Sequence, residues 1–369
     1  MPRAAIPSAN GHRLPGIDSF INREIGQRYL VREFLGEGAH ARVYRATDAV
    51  RQADVALKIF SQNALDAQVA EAARQFEVRE GNAILPLLEV HPEYLEGEVT
   101  VMPLMRRTLG DLDAIFASQA IYYTRRILTA LEFCHGRDVI HGDVKPKNVF
   151  IDDREAAFLG DFGVRDFLPD GARGHTLEYA SPELLAGAAR SQASDTWAAA
   201  VTLYELLTGE LPFGSRADDT DDVVAARIAN AEYKPPDQVR PYLPLRVRNF
   251  FRACLTPRLE ERPVTTVEAM RRALSDLDIR AEWIQWRRQS YLSHWEGFQV
   301  AAGRRTGVRY EATVRERPRL GCWEAEIKRA QPDGGFRRWP GIASFQGTQR
   351  EALYRMVLWM RNITTGGRP

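Results

Sequence analysis

The sequence predicts an α+β protein: a β-rich amino-terminal part, a larger helical middle and a small α+β unit at the carboxyl end. Three observations carry that reading. Strand-like text stands at Tyr29 to Leu35, Val55 to Phe60 and Val99 to Met102, around a helix expected over Leu65 to Arg79, with the period-two pattern of half-buried strands clearest at Val55 to Phe60. From Leu109 to Asp138 the apolar residues fall at helical spacing, with Ile121, Leu128 and Leu131 near one face. In the last quarter, which holds six of the seven tryptophans, alternation returns at Val308 to Arg315 and Cys322 to Arg329 before a helical pattern from Gln349 to Ile363.

At 369 residues the chain is long enough for two or three domains, each with its own core. Its 44% hydrophobic and 27% charged content is that of an ordinary soluble globular protein. The net charge of +1 is unevenly spread: residues 280–369 carry 17 Lys+Arg against 8 Asp+Glu, and the remainder 33 against 41. Such asymmetry marks a nucleic-acid contact or two domains that attract each other, within the chain the basic tail and the acidic part before it. Cys134, Cys254 and Cys322 are far apart and odd in number, which fits a reducing compartment with neither a disulfide framework nor metal spacing. No run approaches the roughly 18 apolar residues of a membrane span, and the amino terminus lacks an apolar signal core. The expected location is cytoplasmic, without membrane attachment.

Residues 1–27 are rich in Pro, Ala, Gly and Arg at their start and read as a flexible leader. Two β-rich runs then flank Gly36-Glu37-Gly38-Ala39-His40-Ala41-Arg42-Val43. A Gly-x-Gly turn lets backbone N–H groups approach phosphate oxygens, because glycine carries no Cβ; alone it is equally an ordinary hairpin. Val55 to Phe60 alternates around a single cation, Lys58. The densest chemistry lies at His141-Gly142-Asp143-Val144-Lys145-Pro146-Lys147-Asn148-Val149-Phe150, followed by Asp161-Phe162-Gly163. The carboxylate of Asp143 can orient a hydroxyl and accept its proton, and Lys145 can neutralise a phosphoryl oxygen. Asn148 and Asp161 offer the hard oxygen ligands that Mg²⁺ takes. That set suits phosphoryl transfer, where catalysis is mostly positioning and charge stabilisation.

These segments, with Ser181-Pro182-Glu183, Asp195 ahead of Trp197 to Val201, and Arg262-Pro263, resemble the motifs of bacterial-type Ser/Thr protein kinases, in order from about Arg28 to Leu277. The resemblance implies a bilobal kinase fold over residues 28–278, with an N-lobe of about 28–102 and a C-lobe of about 106–278. It implies ATP with Mg²⁺, or Mn²⁺ in its place, as cofactors and a protein hydroxyl as acceptor. Lys58 would hold the α- and β-phosphates, braced by Glu71 or Glu77; the turn at Gly81 to Leu85 favours Glu71. Met102 would stand behind the adenine, Pro103 would offer its carbonyl, and Met105 its N–H. Val43, Ala56 and Phe150 would sandwich the base. Thr176 would be a substrate-platform hydroxyl beside Asp143 and Lys145, Asp195 would sit on a central buried helix, and Arg262 would pair with Glu183.

The sequence also departs from that pattern. Ala41 stands at the third glycine, and Gly142 stands where many kinases carry an Arg that meets a phosphorylated activation loop. No Ser, Thr or Tyr occurs between Val164 and His175, so activity independent of activation-loop phosphorylation is expected. His-Gly-Asp also occurs in aminoglycoside-type phosphotransferases, the alternative enzyme class. A nucleotide-binding pseudokinase scaffold is the non-enzyme alternative, which usually lacks one of Lys58, Asp143 and Asp161.

Beyond the kinase-like stretch, residues 279–302 are expected as a helical linker. Residues 303–369 are expected as a small basic Trp-rich α+β domain, with about three antiparallel strands and a closing helix. Surplus Arg on such a topology superficially resembles double-stranded-RNA-binding domains, but the closing helix opens Thr348-Gln349-Arg350-Glu351 without a Lys cluster.

Overall fold

A computed structural model describes residues 20–37, 41–60, 78, 81–91, 99–112, 115–162, 176–277, 279–286, 291–301, 304–339 and 341–369. The chain divides into two units, Met1–Asp111 with Thr129–Thr176, and Leu112–Leu128 with Leu177–Pro369. The α+β class predicted from the sequence holds.

The first unit is built on an antiparallel six-stranded sheet. Its strands are β1 (Glu24–Ile25), β2 (Tyr29–Glu37), β3 (Ala41–Asp48), β4 (Ala53–Phe60), β5 (Glu89–His91) and β6 (Val99–Pro103), in the order β1-β2-β3-β4-β6-β5. Tyr44 and Ala46 on β3 and Val55, Leu57 and Ile59 on β4 project into one core with Tyr29, Val31, Val99 and Val101. Register then fixes which residues meet on the other face: Val43 opposes Lys58, and Ala56 opposes Met102. A smaller sheet of β7 (Arg107–Thr108), β8 (Val149–Ile151) and β9 (Ala157–Leu159) carries the segment that follows Asn148.

Residues 20–27, expected within a flexible leader, are instead packed. Phe20 and Ile25 are buried in the core of the first sheet, and β1 pairs with β2. Two apolar side chains around a two-residue strand leave no periodicity to read, yet burying each is worth about 2 kcal/mol.

One end of this sheet is tied by charge. Arg28 donates to both carboxylate oxygens of Asp48 at 2.8 Å and to Glu89 at 2.8 and 3.0 Å. Arg51 reaches the same two acids, at 2.8 and 2.6 Å. Burial alone would raise the Glu89 carboxyl, but hydrogen bonds from Arg28, Arg51 and Tyr29 outweigh it and bring it down to about 2.

Helix α1 (Ala117–His135) contributes its first twelve residues to the second unit. The unit continues with α2 (Pro182–Leu185), α3 (Gln192–Thr208), α4 (Asp221–Asn230), α5 (Pro236–Val239), α6 (Leu245–Cys254) and α7 (Val267–Ser275). Helix α3 is the buried axis. A reciprocal Ser191–Ser194 capping box starts it and Gly209, at φ +77°, ends it in the left-handed conformation that glycine adopts without strain. Along its length Asp195 and Trp197 are buried.

The carboxyl-terminal part of this unit is an antiparallel sheet in the order β10 (Ala281–Trp286), β11 (Ser293–Ala301), β12 (Arg304–Arg317), β13 (Cys322–Ala330) and β14 (Phe336–Arg338), with β15 (Phe345–Gly347) also on β13. Helix α8 (Gln349–Thr364), started by a Thr348–Glu351 capping box, packs Ala352, Met356, Trp359, Met360 and Ile363 inward. Residues 279–302 were expected as a helical linker, and the structure corrects this: strands β10 and β11 occupy most of the segment. Ile279, Trp283 and Trp286 imitate helical spacing in sequence, while the Trp-Ile-Gln-Trp run is rich in strand-forming side chains. On the described part of β10, Trp283 turns to α8, its indole N–H donating to the Thr364 hydroxyl at 3.0 Å.

On the opposite sheet face, the tail's surplus cations meet carboxylates of their own strands. Glu311 accepts from His294 at 3.1 Å and from Lys328 at 3.3 Å, and Glu326 from Lys328 at 3.0 Å and Arg338 at 2.6 Å. Glu324 holds Arg315 at 3.1 Å and also Arg317. Apart from Glu326 with Lys328, which share β13, these are cross-strand pairs, and Glu324 and Glu326 are buried beneath the cations.

Candidate active site

The site is assembled in the first unit, on the loop between α1 and β8. The backbone at Gly142 takes φ +77°, a conformation that costs a residue with a Cβ about 1–2 kcal/mol. This turn carries the chain from His141 into Asp143. His141 is fully buried. Its Nδ1 accepts the Asp143 backbone N–H at 3.3 Å, and its Nε2 lies 3.0 Å from the Gly160 carbonyl oxygen. A ring that accepts at Nδ1 and meets an acceptor at Nε2 carries its proton on Nε2. One imidazole thereby spans the loop that bears Asp143 and the strand end that bears Asp161.

Three predicted residues come together around the Asp143 carboxylate. Lys145 Nζ lies 2.6 Å from Oδ2, and the Thr176 hydroxyl donates to Oδ1 at 2.9 Å. Lys145 also donates to Thr176 Oγ1 at 2.8 Å, closing a triangle. Asn148, on the 3₁₀ turn Pro146–Asn148, donates its Nδ2 to Oδ2 at 3.0 Å and to the Asp143 carbonyl at 2.8 Å. Both bonds use the amide nitrogen, so the Asn148 carboxamide oxygen is the atom left for a cation. Burial pushes the Asp143 carboxyl up, but the charge of Lys145 and the bonds from Lys145 and Thr176 outweigh it and hold it below the ordinary carboxylate range. It is ionised at neutral pH.

The second focus is Lys58, whose Nζ lies 2.7 Å from Asp161 Oδ1. Asp161 has φ +56°, a strained setting for a residue other than glycine and one met at functional sites. The preceding Gly160 is required by packing: a Cβ there would stand 2.9 Å from Leu85 Cδ2 and 3.1 Å from Phe150 Cε2. Of the other residues predicted near the phosphates, Gly36 and Glu37 end β2 opposite Val43 and Arg42, and Ala41 opens β3 as a buried residue. An added Cβ at Gly36 would meet nothing within 4 Å among the described residues. Gly38, Ala39, His40, Glu71 and Glu77 lie outside the described residues.

The residues predicted to line the base do gather. Ala56 and Met102 form an apolar cluster with Leu85, against which Val43, Met105 and Phe150 pack, and Pro103 ends β6 opposite Val55. Leu104 and Phe158 belong to the same cluster and, with Leu85, His141 and Gly160, went unrecognised in the sequence. Phe158 lies directly across the ladder from Phe150, a pairing that no local sequence pattern announces. An apolar wall, an ammonium beside a carboxylate and two oxygen donors make up the complement that ATP with Mg²⁺ needs. Among the described residues no group of three or more His, Cys, Asp or Glu is placed to hold a metal ion; two oxygen donors suit Mg²⁺, which takes much of its shell from phosphate and water.

In the second unit Arg262 and Glu183 are brought together. The guanidinium bonds Glu183 in a fork at 3.0 and 2.8 Å, lies 4.6 Å from the Trp197 ring and is itself buried.

Fold and site together have the arrangement of a protein kinase domain. The protein kinase domain family matches residues 29–274, and the chain belongs to that family. It is 28% identical over 250 residues to the SNF1-like protein kinase ssp2 of Schizosaccharomyces pombe, covering 63% of this chain and 42% of that protein. To the serine/threonine-protein kinases PknD and PknE of Mycobacterium tuberculosis it is 30% identical over 239 residues and 31% over 234. Those matches cover 60% and 59% of this chain, and 35% and 40% of the relatives. The chain thus spans well under half the length of these relatives.

Proposed function

We propose that the protein is an ATP-dependent protein serine/threonine kinase that works without activation-loop phosphorylation. The triangle of Asp143, Lys145 and Thr176 carries this reading. A protein hydroxyl would take its place at the ionised Asp143 carboxylate, which orients it and accepts its proton. The hydroxyl oxygen forms a bond to the γ-phosphorus while the bond from that phosphorus to the β-bridging oxygen breaks, and ADP leaves. Lys145 neutralises charge on the transferring group, and Thr176 keeps Asp143 and Lys145 in one plane of contact. Asn148 and Asp161 would hold Mg²⁺, which supplies charge neutralisation at the phosphates when bound. Lys58 would bind the α- and β-phosphates.

Independence from loop phosphorylation is supported by three features. Residues 164–175 contain no acceptor hydroxyl. Gly142, at φ +77°, disfavours the Arg that would read a phosphate. Thr176, the first hydroxyl after the segment, already has its oxygen bonded to Asp143 and Lys145. Lys145, two residues after Asp143, favours Ser/Thr acceptors, and the names of the bacterial relatives agree. No described helix is long and apolar enough to cross a membrane.

The test is radiolabel transfer from Mg²⁺·ATP by wild type and Asp143→Ala, with the protein itself, a basic protein and kanamycin as acceptors. Label on protein Ser/Thr that vanishes in the variant is the expected result. Label on the aminoglycoside alone would move the protein to the small-molecule phosphotransferases, and ATP binding without any transfer would make it a scaffold.

A further inference from the structure

Among the described residues, the start of helix α1 supplies no side-chain acceptor for the amides of its own first turn. The residue before Ala117 is Phe116, whose side chain has no acceptor, and the first turn holds no acidic residue. Half of a reciprocal box is present: the Gln119 side chain accepts the Phe116 N–H at 3.2 Å. The missing half, an acceptor for the second and third amides of the helix, arrives from a distant part of the chain. Glu282 of β10 accepts the Ser118 N–H at 3.0 Å on its Oε1, and the Ser118 hydroxyl bonds the same oxygen.

Glu282 is built into place. It is 1% exposed. Arg305 Nε stands 3.7 Å from its Oε2, and that guanidinium is held between two rings, 3.6 Å from Phe116 and 4.0 Å from Phe298. Phe116 and Ser118 belong to the helix start, and Phe298 and Arg305 to the sheet, so the two contacts interlock. Burial raises the Glu282 carboxyl against the bonds from Ser118 and the charge of Arg305; its oxygen remains an acceptor in either protonation state. A second joint lies nearby in the same unit. Asp237, buried on α5, takes Arg248 at 2.8 and 2.6 Å and Arg361 of α8 at 3.2 Å. Arg361 also donates to the Pro241 carbonyl at 2.7 Å, and Tyr242 meets Trp295 edge to face at 5.8 Å.

We propose that Glu282 is a positioning residue of the kinase: it caps α1 from the carboxyl-terminal sheet and thereby steadies the helix that runs on into the His141 to Asn148 loop. The sheet is then a fixed part of the kinase, not a tethered module. A carboxylate at a helix start is favoured by both the free amides and the helix dipole. Without it the first turn of α1 frays, and the loop that follows the helix inherits the motion.

The experiment is amide hydrogen exchange on the full chain together with steady-state kinetics, for wild type, Glu282→Ala, Glu282→Asp and Glu282→Gln. Glu282→Ala removes the acceptor, and Glu282→Asp withdraws it by one methylene while keeping the charge, which keeps the test alive if the alanine variant does not fold. Glu282→Gln retains an acceptor oxygen. The expected result for the first two is exchange about tenfold faster at Ser118 to Ala120, with strand amides at Ala312 and Ala325 unchanged. The value of kcat should fall several-fold while KM for ATP holds, and Glu282→Gln should restore both. Unchanged exchange at Ser118, exchange accelerated equally through the sheet, an unaltered kcat, or a glutamine variant as impaired as alanine would each overturn the proposal. The kcat arm rests on the kinase reading and the exchange arm does not, so the two can fail separately.

Discussion

The Thr176 hydroxyl and Asp143 are hydrogen-bonded at 2.9 Å, with Lys145 within reach of both. Under the proposed function, a hydroxyl bonded to the carboxylate in this way would position it rather than accept a phosphate.

Thr176→Ala is therefore expected to lower kcat by about tenfold or more, since small misplacements of a reacting group are costly. Thr176→Ser, which keeps the hydroxyl, should retain most of the activity. Mass spectrometry of the active wild type should find Thr176 unmodified; stoichiometric phosphate there would defeat both the platform role and the independence from loop phosphorylation.

Gly142→Arg is the informative substitution for the catalytic loop. It restores the residue many kinases carry, but at φ +77° a Cβ costs about 1–2 kcal/mol. The expected outcome is lower stability in urea and lower kcat, with no new response to phosphatase treatment. A fully active, more stable variant would show that the turn readily adopts another conformation.

Arg262→Ala should destabilise the second unit by about 3 kcal/mol, because it leaves the Glu183 carboxylate partly buried and unpaired. Urea unfolding monitored by tryptophan fluorescence reads this directly, since Arg262 lies over Trp197. A double variant with Glu183→Gln should recover part of the loss.

The Arg28 cluster sets an acid limit. Glu89 is depressed to about 2 and Asp48 is also lowered, so their contribution is fully present above the ordinary carboxylate range. It is lost as pH falls through that range toward about 2. Arg28→Ala should cost about 1 kcal/mol at pH 7, discounted for solvent access, and flatten the acid side of the stability profile. An unchanged acid slope would assign that side to other carboxylates.

Where the chemistry is local in sequence, the site was legible. His141 to Asn148 and Asp161 state their own ligand types, and the order of segments supplied Lys58 and Thr176. The walls were less so: Leu85 was read only as part of a turn, and Leu104 and Phe158 were given no role, since lining a cleft and filling a core demand the same side chains. Residues 281–286 were misread because Ile279, Trp283 and Trp286 fall at helical spacing. The Arg28–Asp48–Glu89 cluster was invisible because its partners are far apart in the chain and no local pattern announces a charge pair. Glu282 went unnoticed for the same reason; its role depends on a serine that precedes it by 164 positions.

Asp237 shows what this means for where the kinase ends. Sequence similarity to the family stops at residue 274, yet one of the two guanidiniums on this buried carboxylate comes from α8, near the last residue. A fragment cut at the edge of the similarity would keep every catalytic side chain. It would also bare the Tyr242 ring and leave Asp237 with a single cation. The border of kinship and the border of the folded object fall at different places in this chain, and the second lies beyond Arg361.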